Sequence, residues 1–395
     1  MKKATLFLLI SIFTFTPVFA ETMTLDINKA LELLHQNNLD IKASAYDVKI
    51  AEREKKTVWN AFLPSLGVTA GSALMDNPTY SSGLGPDEPR FGFDLSVSAN
   101  LIINYALGSG IKNYRLKYEA GEISYEMAVK GLEMNTKIQF YSLLNLEEQI
   151  KIMAKGIDLA EKRYRQVQEN YKNGLIPELD VLRTQVAYES QKPALSNMQT
   201  QYENMLLGFK VMLGIDRNKE VLINGSLDTE TYTFDGDDLI NKYLAKSLRL
   251  KSMNKNLEVL ENAKTMSAQY AYTPTLALGY SLTPMQYNPW AKDYPMETDP
   301  WNFQDDDGIG MGVFTIGLQF SLDNYIPGSK KDVDITNMKD QISQLRLTIQ
   351  KSSLQSEVEI INTLAKLENS IEQLEANKLN VDLARKAYEM TNEAY

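Results

Sequence analysis

Two kinds of hydrophobic periodicity alternate along the chain, one typical of strands and one typical of long helices. Residues 91–105 alternate apolar and polar side chains with one exception, and residues 312–322 repeat that alternation. Weaker alternation follows Pro64 and Pro274. A period of two places the apolar side chains on one face of a strand and the polar ones on the other. The pattern therefore predicts four strands in a chain that is otherwise helical.

The helical segments are long and carry a coiled-coil rhythm. From about residue 110 to residue 171 the chain contains no proline, and along its later part apolar side chains recur at spacings of four and three. This 3.5-residue rhythm is typical of helices that pack along their whole length. The same rhythm continues in a second long helix that begins near Lys330. Such helices are too long for one compact domain.

A turn and a returning helix follow the first long helix. Gly174 has the position of a left-handed helix cap, and Pro177 is suited to the first turn of the next helix. We expect that helix to run to Leu213, with a kink near residues 188–189 caused by Pro193.

An internal repeat explains this order. Four segments of the first half recur in the second: Ile27–Leu31 as Ile240–Leu244, Pro64–Leu66 as Pro274–Leu276, Asn104–Ser109 as Asn324–Ser329, and Asp158–Tyr164 as Asp382–Tyr388. Each half reads helix, strand, loop, strand, long helix, which is the signature of a tandem repeat. The predicted organisation is as follows: residues 1–20 a signal peptide; residues 21–237 the first repeat, with a helix, a strand pair (62–105), a long helical hairpin (110–213) and an equatorial segment (214–237); residues 238–395 the second repeat, with a helix, a strand pair (274–322) and a long helix (330–395).

The two halves differ at their ends. On the alignment of the last repeated segment, Tyr395 corresponds to Tyr171. Residues 172–214, which hold the turn and the returning helix, have no counterpart after Tyr395. By the protein's own symmetry we expect the second repeat to lack its returning helix, about 40 residues.

Composition and the N-terminus narrow the function classes. Lys2 and Lys3 precede an apolar run that ends in a small residue at Ala20, the pattern of a secretory signal peptide. The chain has no cysteine, one histidine and a net charge of −10. These counts exclude disulfides, thiolate sites and a lipid anchor through cysteine, and argue against His-based metal sites and nucleic acid as a partner. We expect no cofactor, no metal and no enzymatic activity.

The ordered set of elements, the prolines before the strands and the tip sequence from Tyr171 to Leu182 resemble the outer membrane efflux protein family, the TolC-like channels. The resemblance implies a mainly α fold with a membrane β element. In it, four strands per protomer contribute to a trimeric 12-stranded barrel above a helical tunnel in the periplasm. It also implies three kinds of partner besides outer-membrane lipid: two further copies of the chain, a periplasmic adaptor (membrane fusion) protein, and an inner-membrane pump or secretion ATPase. A trimer agrees with the physics, because four strands alone leave two open edges.

The resemblance also implies site residues. The adaptor-contacting tip comprises Gly174, Leu175, Ile176, Pro177, Leu179 and Asp180. A candidate gate joins Asp180 to Tyr395 through a charge-assisted hydrogen bond, although Asp180 is equally suited to a plain helix N-terminus. The barrel residues expected to face the lumen are Asp94, Ser96, Asn100, Thr315 and Gln319.

Three functions remain open at this point. The first is a passive exit duct of a tripartite efflux or type I secretion system. The second is a structural coiled-coil protein of the periplasm, whose strands form soluble hairpins. The third is a non-functional relative of the channel. The exported substrate cannot be read from the sequence, because a wide duct imposes little selectivity.

Overall fold

A computed structural model describes residues 23–75, 90–227, 232, 234–287 and 312–393. At residues 73–75, 90–94 and 283–287 it describes the backbone alone. The predicted signal peptide, the loops that join the paired strands and Tyr395 lie outside the described residues.

Helices dominate the described chain. The helices are α1 (Ile27–Asn37), α2 (Leu39–Thr57), α3 (Leu107–Lys172), α4 (Glu178–Glu189), α5 (Lys192–Met212), α6 (Gly236–Tyr243), α7 (Leu248–Tyr272) and α8 (Lys330–Glu393). The strands are β1 (Met23–Leu25), β2 (Ser65–Met75), β3 (Arg90–Asn104), β4 (Val221–Ile223), β5 (Thr275–Tyr287) and β6 (Gly312–Gln319). Short 3₁₀ turns occupy Val58–Phe62 and Leu322–Tyr325.

The four longer strands form one antiparallel sheet in the order β2-β3-β5-β6. β3 pairs with β2 on one side and with β5 on the other, so the strand pairs of the two halves join in one sheet. The register shifts once, between Leu95 and Val97, at a bulge in the pairing with β5. Within the described chain, β2 and β6 each have one edge without a paired strand.

The chain divides by its contacts into two units. The first comprises residues up to Ser44 and residues 127–231. In it, β1 pairs in parallel with β4, and the rings of Phe140 and Phe209 lie 6.4 Å apart in the core. Asn38 ties the helices together, because its side-chain amide donates to the Met212 carbonyl (2.8 Å) and accepts from the Ile41 N–H.

The second unit comprises residues 45–126 and 232–395 and contains the four-stranded sheet. Lys255 on α7 reaches Glu119 on α3 at 3.1 Å, and Arg346 on α8 reaches Glu261 on α7 at 2.7 Å. Buried side chains of this unit include Ala106, Ala271 and Ile342. The apolar side chains of the sheet itself are largely exposed in the isolated chain.

The sequence predictions match most boundaries. The four strands and the two long helices appear as expected, and the returning helix breaks after Glu189, with Pro193 near the start of α5. Two details differ. Pro177 is the residue before α4, in an extended conformation, and not part of its first turn. β6 ends at Gln319, because the chain turns at once into the 3₁₀ segment Leu322–Tyr325.

The element order helix, strand, strand, long helix occurs twice along the chain, as α2-β2-β3-α3 and α7-β5-β6-α8. The exact repeat boundary near residue 237 stays a prediction. The pairing of β1 with β4 was not foreseen, because three-residue strands are too short to show a period.

Candidate functional site

The hairpin tip between α3 and α4 is built by a glycine cap. Gly174 has φ of +72°, the left-handed conformation that a side chain makes costly. The Leu175 N–H donates to the Asn170 carbonyl and the Gly174 N–H donates to the Tyr171 carbonyl, both at 2.9 Å. This pair of bonds is the Schellman arrangement, which closes the last turn of a helix and reverses the chain. The predicted cap at Gly174 is confirmed.

One apolar stripe runs from the tip along α4. Leu179, Leu182 and Val186 follow at spacings of three and four, so they share one side of α4, and Leu175 precedes them in the turn. From Leu175 to Val186, the exposed fractions of these four side chains are 71%, 54%, 51% and 67%. Val181, by contrast, is buried. An exposed apolar stripe at the end of a helical hairpin is a surface suited to packing against another helix.

Asp180 lies in the first turn of α4, where a carboxylate is favoured by the helix dipole. Its carboxylate lies 3.7 Å from the Arg183 guanidinium, and both side chains are well exposed. Tyr395, the other half of the candidate gate, lies outside the described residues. The link between Asp180 and Tyr395 therefore stays a prediction.

The sheet register separates polar from apolar residues row by row, because residues paired across strands share a face. The mostly polar face carries the rows Ser65–Asn100–Gly279–Thr315, Gly67–Ser98–Ser281–Val313 and Asn104–Thr275–Gln319. Its apolar exceptions are Val313 and the row Ile102–Ala277–Gly317. The opposite face carries the rows Leu66–Ala99–Tyr280–Phe314, Val68–Val97–Leu282 and Leu101–Leu278–Ile316. Every strand therefore contributes to one polar and one apolar face.

Four of the five residues predicted to face a lumen lie on that face, namely Ser96, Asn100, Thr315 and Gln319. Asn100 and Thr315 both flank Gly279, where an added Cβ would meet the Thr315 hydroxyl at 2.5 Å and the Asn100 amide oxygen at 3.1 Å. Ser96 pairs with Thr69, and Gln319 pairs with Thr275. For Asp94, the register places the backbone between Gly71 and Gln286, while its side chain is not among those described. That this face lines a lumen stays a prediction.

Ion pairs hold the helices of each unit together and shift the pKa values of their carboxyls. Hydrogen bonds from Lys255 and then Arg115 lower the pKa of Glu119. In the other unit, Glu133 has its pKa lowered by Lys130 and, to a smaller extent, by His35, whose Nε2 lies 3.1 Å away. The partner of His35, almost 100 residues away on α3, could not be inferred from local spacing.

No helix among the described residues combines the length and the apolar character that crossing a membrane requires. No group of three or more acidic, histidine or cysteine side chains in that part of the chain is arranged to hold a metal ion.

Comparison with known proteins finds one family model that matches the first half of the chain. Residues 30–214 match the family model described as outer membrane efflux protein. Over these residues the chain is similar to the outer membrane efflux protein family. That family consists of channels and not of enzymes. No curated protein matches the sequence.

Solved outer membrane channels are similar to the chain in fold. The CmeC outer membrane channel of Campylobacter jejuni is 15% identical, with a TM-score of 0.71 over 92% of this chain and 76% of that one. VceC of Vibrio cholerae is 13% identical, with a TM-score of 0.64 over 87% and 79%. The open state of the MtrE channel of Neisseria gonorrhoeae is 12% identical, with a TM-score of 0.62 over 86% and 72%.

These matches confirm the resemblance drawn from the sequence and the mainly α fold with a small set of strands. The family match ends at residue 214, whereas the structural likeness extends over nearly the whole chain. The second half therefore keeps the family's fold beyond the residues that the family model matches.

Proposed function

We propose that the chain is the outer-membrane channel of a tripartite efflux or type I secretion system. It acts as a passive exit duct through the outer membrane and the periplasm. The observation that carries the proposal is the four-stranded sheet. One of its faces is mostly polar, the other is apolar and largely exposed, and both of its outer edges are unpaired in the described chain.

The sheet needs further copies of the chain to satisfy its edges. Backbone groups at the edge strands β2 and β6 must find partners inside a membrane, because lipid offers none. Three copies supply 12 strands, which close into a barrel wide enough for a lumen. In that barrel the apolar rows contact lipid, and Ser96, Asn100 and Thr315 contact water.

The helical tip supplies the contact with a periplasmic adaptor. We assign this role to Gly174, Leu175, Ile176, Pro177, Leu179 and Asp180, on the basis of the exposed apolar stripe. The Leu179→Asp variant should lose adaptor binding in a pull-down with periplasmic adaptor proteins of the same organism. A Gln185→Asp variant, exposed on α4 but outside the stripe, serves as the matched control. Equal adaptor binding by the two variants would show that the tip is not part of the adaptor interface.

Export to the outer membrane rests on residues 1–20 acting as a signal peptide, with the mature chain carrying no lipid anchor through cysteine. An inner-membrane pump or secretion ATPase would deliver the substrate to the duct.

Membrane reconstitution tests the proposed function directly. Purified protein should form trimers in detergent and add stepwise conductance to a planar lipid bilayer. The rival role, a structural coiled-coil protein of the periplasm, predicts a protein that fractionates with soluble periplasmic contents and gives no conductance. That second result would overturn the channel assignment.

A further inference from the structure

Two buried asparagines meet at one short segment of the chain. Residues 271–275 are the place where α7 ends and β5 begins, so they join the helices to the sheet. Asn104 and Asn324, the side chains that reach this segment, are only 5% and 8% exposed. Both belong to the second unit. A buried amide must be hydrogen-bonded to be tolerated, so its bonds are specific contacts.

Asn104 ends β3 and bonds to this segment with its side-chain amide. Its Nδ2 donates to the Thr275 hydroxyl at 2.8 Å and to the Pro274 carbonyl at 3.3 Å. Its Oδ1 accepts from the Ala106 N–H at 2.8 Å, which shapes the turn into α3. One side chain therefore joins the end of one strand, the start of another and the start of a long helix.

Asn324 approaches the same segment from the other half of the chain. It lies in the 3₁₀ turn after β6, and its Nδ2 donates to the Ala271 carbonyl at 2.9 Å. The neighbouring Tyr325 donates its hydroxyl to the Tyr272 carbonyl at 2.7 Å, and the two tyrosine rings meet edge to face. Asn324 occupies the repeat position that corresponds to Asn104. The two repeats therefore use the same residue against one shared segment.

The first turn of α3 is held to α7 by the same kind of contact. The amide of Asn262, which is 5% exposed, donates to the Ser109 carbonyl at 2.8 Å. The Ser109 hydroxyl in turn donates to the Gln269 side chain at 2.6 Å. The helices below the sheet are thus fixed to one another by directional bonds, and the sheet is fixed to them at residues 271–275.

We propose that Asn104 and Asn324 are positioning residues. They hold residues 271–275 from two strand ends, fix the sheet on its helices, and thereby keep its two open edges in place for pairing with other copies of the chain. The proposal rests on the proposed function for its last step, because only a channel needs those edges to meet. Apolar packing alone would allow the sheet to rotate on the helices, whereas amide bonds to named carbonyls fix one orientation.

The Asn104→Asp variant tests the bond to residues 271–275 separately from the bond that shapes the local turn into α3. An aspartate keeps the oxygen that accepts from the Ala106 N–H, but it has no amide to donate to the Pro274 carbonyl. The Asn324→Asp variant removes the bond to Ala271 in the same way. The matched control is Asn254→Asp on α7, because that exposed amide donates only to Leu250 of its own helix.

Two measurements are made on the full chain in detergent. The first is hydrogen–deuterium exchange of peptides that cover residues 271–277, and the second is the fraction of trimer that resists dissociation in dodecyl sulfate. We expect exchange to become about tenfold faster in both junction variants, the usual effect of losing one buried bond. We also expect a severalfold loss of resistant trimer, with helix content by circular dichroism unchanged and the control like wild type.

The results distinguish the contact of the asparagines with residues 271–275 from its role in trimer assembly. Exchange that stays at the wild-type rate in both junction variants would overturn the proposed contact. Faster exchange with an undiminished trimer would overturn its role in assembly. If the wild-type chain forms no trimer, the proposed function and the assembly step both fail, while the exchange measurement still decides whether the asparagines hold the segment.

Discussion

Neighbouring residues of β6 allow the two faces of the sheet to be tested with the same substitution. Ile316 is 69% exposed on the apolar face, in a row with Leu101 and Leu278. Thr315 lies on the polar face, in a row with Asn100. We predict that Ile316→Arg prevents assembly in the membrane, whereas Thr315→Arg leaves it intact and changes only the conductance.

The magnitude follows from where the charge must go. An arginine on the lipid-facing side of a membrane strand costs about 2–4 kcal/mol at the bilayer midplane and close to zero in a water-filled lumen. Because 1.4 kcal/mol corresponds to a factor of ten, each Ile316→Arg protomer should insert about thirtyfold to a thousandfold less favourably. A closed trimer carries that cost three times, so the defect should be close to complete.

The assay is outer-membrane fractionation followed by trimer detection and bilayer conductance. Ile316→Arg should be depleted from the membrane fraction, and Thr315→Arg should be present there with an altered preference for cations over anions. Equal depletion of the two variants would mean that the alternation does not divide lipid from water. Normal insertion of Ile316→Arg would refute the assignment of the apolar face.

Three further predictions follow from individual contacts. Gly174→Ala should lower the free energy of unfolding by about 1 kcal/mol, because an alanine is strained in the left-handed backbone conformation while no atom lies within 4 Å of the added Cβ. A thermal melt measures this loss, and a much larger one would contradict the prediction. The pKa of Glu119 is lowered from 4.5 by Lys255, so the stability that this carboxylate contributes is present above pH 4.5 and is lost as the pH falls below it. The melting temperatures of wild type and Glu119→Gln should therefore converge under acid conditions, and a constant difference would exclude the ion pair as the cause. Asp180→Ala should raise the resting conductance of the reconstituted channel if Asp180 contributes to a gate, and an unchanged conductance would assign the residue to helix capping alone.

Most of the fold could be predicted because its periodicities are long. The alternation over residues 91–105 predicts β3 to within one residue, because a strand with one polar and one apolar face shows a period of two in its sequence. The break after Glu189 was predictable from Pro193, which has no N–H to donate to the preceding turn.

The candidate site was only partly predictable. The polar face could be anticipated from alternation within each strand, but the row that joins Asn100 to Thr315 depends on strand pairing across the two halves of the chain. His35 and Asn104 contact residues far away in the sequence, so no local sequence pattern predicts these contacts. Sequence spacing shows which residues share an element, while register and helix pairing decide which elements meet.

The pairing of β3 with β5 has a consequence for how the protein is made. Asn104 and Thr275 are 171 residues apart in the chain, yet they are neighbours in the sheet. Because a chain is synthesised from its N-terminus, the hairpin of β2 and β3 exists long before the strand that completes it. During that interval its apolar face and its free edge are open to pairing with the wrong chain. The distance between β3 and β5 along the chain therefore sets how long that exposed hairpin must avoid misassembly.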